Sequence, residues 1–209
     1  MKKWFFLLLL LVVLTTAVGC ENFTIFQDDI YGVSLKYPET WTVTTEDENL
    51  IATICSPENS DKNREYVSLF SELFLIYDVN MTLAEYVSIS ESSLGFITNY
   101  ESLKNEDMTI GDLKGKYIQY SGSYDDDEEG IVYVWTQFVT LKEGYAFVLT
   151  HTAVQGAPVD TQTWQTMLQS FAVAANPNYE YELNFYNAYH EEMKKQEENT
   201  FEDDHKHEE

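Results

Sequence analysis

The chain has 209 residues, a mass of 24.2 kDa and a net charge of −24, from 36 acidic and 12 basic side chains. Hydrophobic residues make up 44% and aromatics 15%, enough to build a core, so the composition excludes wholesale disorder. The charge argues against nucleic-acid binding and against a basic patch on an anionic membrane, and two cysteines exclude a disulfide-dense scaffold and a cysteine zinc site.

Met1-Lys2-Lys3 is a short basic start, and Trp4 to Leu14 is an unbroken apolar run of 11. A secretion signal needs about 7–15 apolar residues and a membrane span about 20, so residues 1–19 read as a signal outside the fold. Thr15-Thr16-Ala17-Val18-Gly19-Cys20 leads small residues into a cysteine and resembles the lipobox of prokaryotic lipoproteins, with Ala17 where Leu is more usual. The resemblance implies a diacylglyceryl group on Cys20, which becomes the mature N-terminus. The chain is then held at the cell membrane by lipid alone, facing outside the cytoplasm. Removing residues 1–19 leaves 10 basic against 36 acidic side chains, a mature charge of −26. Cys55 is left as a single thiol in the strand-like run Leu50–Cys55, where a small buried residue is the expectation.

Residues 20–175 read as one α+β domain. Val33, Leu35 and Tyr37 alternate with Ser34 and Lys36 until Pro38, and Trp41 and Val43 alternate with threonines. Leu50–Cys55, Tyr66–Tyr77 and Lys116–Tyr124 are further strands, rich in β-branched and aromatic residues. Ile131–Leu141, a Lys-Glu-Gly turn and Tyr145–Ala153 make a β-hairpin, whose first strand is apolar on both faces and therefore central. Leu83, Tyr86, Val87, Leu94 and Ile97 share a helical face, begun by a Thr82/Glu85 capping box. Trp164, Met167, Leu168 and Phe171 form a second helical stripe, with Asp160 as N-cap. Helices separated by hairpins imply an antiparallel sheet covered by helices rather than a parallel one. Asn176-Pro177-Asn178 breaks the chain, and residues 176–209 form an acidic tail of net charge −8. Tyr179–Asn199 reads as a helix with a Leu183, Tyr186, His190, Met193 stripe, and Phe201–Glu209 as a disordered end.

Ile30-Tyr31-Gly32-Val33-Ser34-Leu35-Lys36-Tyr37-Pro38-Glu39-Thr40-Trp41-Thr42-Val43 resembles the opening hairpin of the PsbP-like superfamily, and Tyr145–Ala153 followed by a helix ending Gln169-Ser170-Phe171 resembles its end. The resemblance covers about residues 23–173. It implies an α-β-α sandwich, a curved antiparallel sheet with helices packed on both sides, and no activity. Relatives include a photosystem extrinsic subunit and a nuclear-import factor that binds a small GTPase, both acting by docking to proteins.

Three groups of residues carry possible chemistry. Asp125, Asp127 and Glu129 fall near the first ligand positions of an EF-hand loop, followed by Gly130, but position 12 is Thr136 rather than Glu. Hard oxygens there could hold a weak Ca²⁺; a solvated acidic turn is the plainer account. His151 sits on a strand with Leu149 and Ala153, where a core or edge histidine is the default. No Gly-x-Ser-x-Gly, Ser-x-x-Lys or Gly-rich phosphate loop occurs, and no catalytic residue or cofactor is assigned. Tyr179, Tyr181, Phe185, Tyr186 and Tyr189 crowd the tail, and Tyr181, Phe185 and Tyr189 suit a partner-binding face. The reading that results is a binding or assembly module with a basic extracytoplasmic protein as partner. A carboxylate-based hydrolase and a weak divalent-cation-binding protein stand as alternatives. The anchor is checked by mass spectrometry of the mature N-terminus: a diacylglyceryl mass on Cys20 is expected, absent in Cys20→Ser, whereas an unmodified Cys20 or Glu21 terminus would exclude the anchor.

Overall fold

The computed structural model of the chain describes residues 21–47, 50–58, 63–125 and 130–204, with the side chains of 197–204 left aside. Cys20 therefore lies outside the described residues, as do Asp127 and Glu129. In chain order the elements are β1 (Phe23–Asp28), β2 (Val33–Pro38), β3 (Thr42–Thr44), β4 (Ala52–Cys55), β5 (Tyr66–Leu73), a 3₁₀ turn (Phe74–Ile76), α1 (Leu83–Ser92), β6 (Ile97–Ile110), β7 (Leu113–Tyr124), β8 (Tyr133–Lys142), β9 (Tyr145–Val154), α2 (Thr161–Ser170), β10 (Ala172–Val173) and α3 (Tyr179–Asp204).

The strands form two antiparallel sheets rather than one. The larger runs β3-β4-β5-β9-β8-β7-β6 and the smaller β1-β2-β10. The β8–β9 hairpin forms as its sequence implies, and β8 is interior between β9 and β7. Its two turn residues, Glu143 (φ 47°) and Gly144 (φ 91°), are both left-handed, the type I′ geometry whose twist matches the flanking strands.

Both faces of the large sheet are buried, so it needs two covers. On the first face Phe138, Phe147, Leu149, Val67 and Leu69 pack with Val33 and Leu35 of the small sheet and with Trp164, Met167, Leu168 and Phe171 of the α2 segment. Trp41 and Phe171 belong to this same core. Gly115 lets Phe138 lie flat across β7: a Cβ there would come within 2.5 Å of the Phe138 ring and of the Val139 carbonyl. On the second face Ile118, Tyr120, Trp135, Val139 and Ala146 pack under Tyr86 and Val87 of α1 and Phe74 and Leu75 of the 3₁₀ turn, with Leu183 and Tyr186 of α3 against them. The two helix starts are as the sequence indicates. Thr82 and Glu85 form the capping box of α1, and Asp160 accepts from the backbone of Gln162 and Thr163.

Three local expectations are corrected. The helical face does not extend to Leu94 and Ile97. α1 ends at Ser92, and Ile97 opens β6, where it fills the space above Gly122. Tyr66–Tyr77 is a strand only to Leu73; Phe74 and Leu75 turn into the 3₁₀ element and are buried. The last helix does not stop at Asn199 but runs to Asp204, because Glu197, Glu198 and Glu202 are good helix formers; residues 205–209 lie outside the described residues. β1 and β6 carry no clear alternation signal. β6 is exposed almost throughout, an edge strand guarded by charges and by register shifts at Thr98/Glu101 and Ser102/Lys104.

Trp41→Ala removes a large side chain from the first core and should cost about 3–5 kcal/mol. Thermal unfolding should show a melting temperature lower by roughly 10 °C or more, while Ile25→Ala, at an exposed position, should change it little.

Candidate functional site

α3 has two faces with different fates. Leu183 and Tyr186 pack on the second core, and His190 donates from Nε2 to the Leu75 carbonyl at 2.9 Å. Tyr181, Phe185 and Tyr189, spaced four apart on the other face, stay exposed at 75%, 55% and 46%. Met193, placed by the sequence on the inner stripe, continues the outer one. The tail therefore docks on its own domain and keeps the expected partner-binding residues in solvent.

The docking is fixed at the root of the helix. Asn176 donates its backbone N–H to Glu143 Oε2 and its amide to Glu182 Oε2 at 2.9 Å, and its Oδ1 accepts from Asn178 N. The β8–β9 turn thus grips the chain just before α3 begins. The sequence shows Asn176 only as a break, because its partners lie 33 residues upstream and six downstream.

A cleft of about 360 Å³ surrounds this joint and is lined by Asp29, Glu143 and Glu182 beside Tyr31, Lys142 and Tyr145. Its carboxylates are engaged: Asp29 accepts from Gln27, Glu143 and Glu182 from Asn176. Lys142 is held by Asp112 at 3.0 Å and by the Val173 carbonyl at 2.8 Å. These contacts fasten the helix and the small sheet to the hairpin.

His151 is a core histidine, as its strand position implies. It is buried, donates from Nε2 to Glu65 Oε2 at 2.8 Å and stacks on Trp164 with ring centres 5.1 Å apart. Cys55 is half-buried, and burial pushes its thiol pKa up against the opposing pull of Arg64, the reverse of what a nucleophile needs. Of the acidic-loop residues only Asp125 is described; it is exposed at the end of β7, with its N–H on the Phe96 carbonyl. Among the described residues no three His, Cys, Asp or Glu side chains converge as a metal site. No helix among them is long and apolar enough to cross a membrane.

No family model and no curated protein matches the sequence. Solved structures do match the fold. A protein of unknown function from Pseudomonas aeruginosa is 13% identical over 74% of this chain and 99% of its own, with a TM-score of 0.52. Cyanobacterial PsbP from Synechocystis sp. PCC 6803 is 15% identical over 76% of this chain and 96% of its own, with a TM-score of 0.51. The Ran-binding protein Mog1p from Saccharomyces cerevisiae is 12% identical over 74% and 97%, with a TM-score of 0.50.

Asn176→Ala deletes the hydrogen bond that the Asn176 amide donates to Glu182 and the one it accepts from Asn178 N, and should loosen the helix root by about 1 kcal/mol. Hydrogen exchange should quicken in Tyr179–His190 and stay unchanged in β8 and β9; equal protection in both forms would show that Asn176 is not the fastening. The chain has the fold shared by PsbP and Mog1p, an open antiparallel α+β sandwich with helices on both sides.

Proposed function

We propose that this protein is a lipid-anchored, extracytoplasmic binding or assembly module that acts through protein contacts. The observation that carries the reading is the outward stripe of α3. Tyr181, Phe185 and Tyr189 are exposed on a helix whose opposite face is already committed to the domain. Large apolar side chains held in solvent on a fixed helix suit a partner's groove. The fold is also that of a Ran-binding protein, which supports the class of function without naming a partner.

The two ends of the domain support a division of labour. Glu21 accepts a hydrogen bond from Thr163 at the start of α2, and Asp160 beside it donates to Glu65 just before β5. That is the Val154 end of β9. The root of α3 sits at the Tyr145 end of this ten-residue strand, about 30 Å away along it. An anchor on Cys20 would hold the first end at the membrane and present the stripe at the other. The mature charge of −26 favours a basic partner, drawn in by long-range attraction that salt screens.

Crosslinking in intact cells tests this, comparing the wild type with Tyr181→Ser/Phe185→Ser/Tyr189→Ser. The triple variant should fold normally, since all three side chains are exposed, and should lose its partners. Recovery of the same partners by both forms would remove the stripe from the mechanism. Turnover of a substrate, lost on changing one acid, would replace the binding reading with the hydrolase.

A further inference from the structure

A second exposed aromatic surface lies on the large sheet, on the face that α1 covers, and it is independent of α3. Six rings run in unbroken contact: Phe96–Tyr124, Tyr124–Tyr133, Tyr133–Trp135, Trp135–Tyr120 and Tyr120–Tyr100, with centroids 5.3–6.2 Å apart. Tyr120 and Trp135 are buried and form the floor; Phe96, Tyr100 and Tyr124 lie above them in solvent, Phe96 at 51% exposure. Position follows from register. Tyr120 and Tyr124 are four apart on β7, and Tyr120 pairs with Trp135. Tyr100 reaches this face only because β6 slips between Thr98 and Glu101, with Asn99 at φ 53°. A bulge that re-aims one ring onto a stack is a built feature of an edge strand.

The charge at the rim is negative. Asp125 directly follows Tyr124 and is tied by its N–H to the Phe96 carbonyl. Glu91 of α1 lies close enough for its carboxylate to raise the Tyr100 and Tyr120 phenol pKa values, second to burial for Tyr100. It also accepts from Asn105 at 3.5 Å. Aromatic faces bordered by carboxylates attract cations, through the ring quadrupole and through the acids together. The chain already makes one such contact on the same pair of strands, where Lys104 of β6 sits 4.9 Å from the Tyr117 ring centre.

We infer that the Phe96–Tyr100–Tyr124 shelf is a docking surface for a basic protein segment, whose Lys or Arg side chains lie on the ring faces between Asp125 and Glu91. An anionic bilayer is the poorer occupant, because Asp125 and Glu91 would be pressed against like charge.

The test must separate this shelf from the general attraction of a chain at −24. The probe is a fluorescently labelled dodecapeptide of alternating Arg and Gly, with a Glu-Gly peptide as control, titrated by anisotropy into the purified full chain at 150 mM salt. Phe96→Ser/Tyr124→Ser changes no charge. It should weaken Arg-Gly binding roughly fivefold to thirtyfold, as expected from two exposed cation–π contacts. Tyr124→Phe keeps a ring and should bind within about twofold of the wild type. Should the double variant unfold, Phe96→Ser alone, at a surface ring, gives the same reading with a loss of about threefold. The α3 variant Tyr181→Ser/Phe185→Ser/Tyr189→Ser should bind the peptide normally, so the shelf and the stripe can fail separately. Equal affinity of the double variant and the wild type would overturn the shelf, leaving only global charge. So would absent peptide binding together with flotation on zwitterionic vesicles that the double variant loses, which would make the shelf a membrane contact.

Discussion

The turn at Glu143–Gly144 is the constraint on which the rest of the molecule hangs. Two adjacent residues in the left-handed region set a two-residue hairpin and with it the register of β8 and β9, the strands at the heart of the large sheet. The same turn then gathers the elements that follow. The Gly144 carbonyl accepts from Phe74 N, fixing the 3₁₀ turn. Leu75 packs so closely that a Cβ at Gly144 would lie 2.7 Å from its side chain. Leu75 in turn offers its carbonyl to His190, and Glu143 takes the backbone N–H of Asn176. A left-handed glutamate is uncommon, and here its side chain fastens the C-terminal helix. Hairpin register and helix docking are thus set by one dipeptide.

What the sequence revealed follows from where local pattern and tertiary need agree. β2, β8, β9 and α2 were legible because their apolar period points to one buried face, or to two in β8. The caps at Thr82 and Asp160 were legible because the chemistry is complete within four residues. β6 was illegible because an edge strand in solvent has no reason to alternate; its charges protect it rather than bury it. Ile97 misled the helical reading because a strand that starts five residues after a helix can continue its spacing by chance. The separate small sheet was hidden as well. β1 meets β2 locally, but Ala172 and Val173 join Ser34 and Val33 across almost the whole domain.

The candidate site was legible in the same partial way. Aromatic density marked the tail, and a stripe spaced by four marked Tyr181, Phe185 and Tyr189. Only the structure divides the tail's rings between core and solvent, because that division depends on Leu75 of the 3₁₀ turn and Ala146 of β9, both distant in sequence. The shelf gave a weaker signal still. Tyr120, Tyr124, Tyr133 and Trp135 read as ordinary strand aromatics, and it takes pairing across β7 and β8 to stack them. Tyr100 is the hardest case, since an even alternation along β6 would put it on the opposite face from Tyr120.

The two aromatic surfaces differ in how they are held, and this bears on what each can do. The floor of the shelf, buried Tyr120 and Trp135, belongs to β7 and β8, each paired on both sides, while Tyr124 ends β7, Tyr100 comes from edge strand β6 and Phe96 from the connection before it. The floor rings can be displaced only by disturbing the sheet, so they would give the exposed rings a fixed base at low entropic cost to an incoming cation. The stripe rides on a helix fastened by Leu183, Tyr186, the His190 bond and the Asn176 joint. Such a helix can open locally at far less cost than the sheet can. A rigid surface near the Val154 end of β9 and a more yielding one near the Tyr145 end favour sequential contact. On the proposed docking, charge and ring faces would capture a basic segment first. The helix would then adjust to the shape of the partner, and the apolar anchors it carries would set how long the complex lasts.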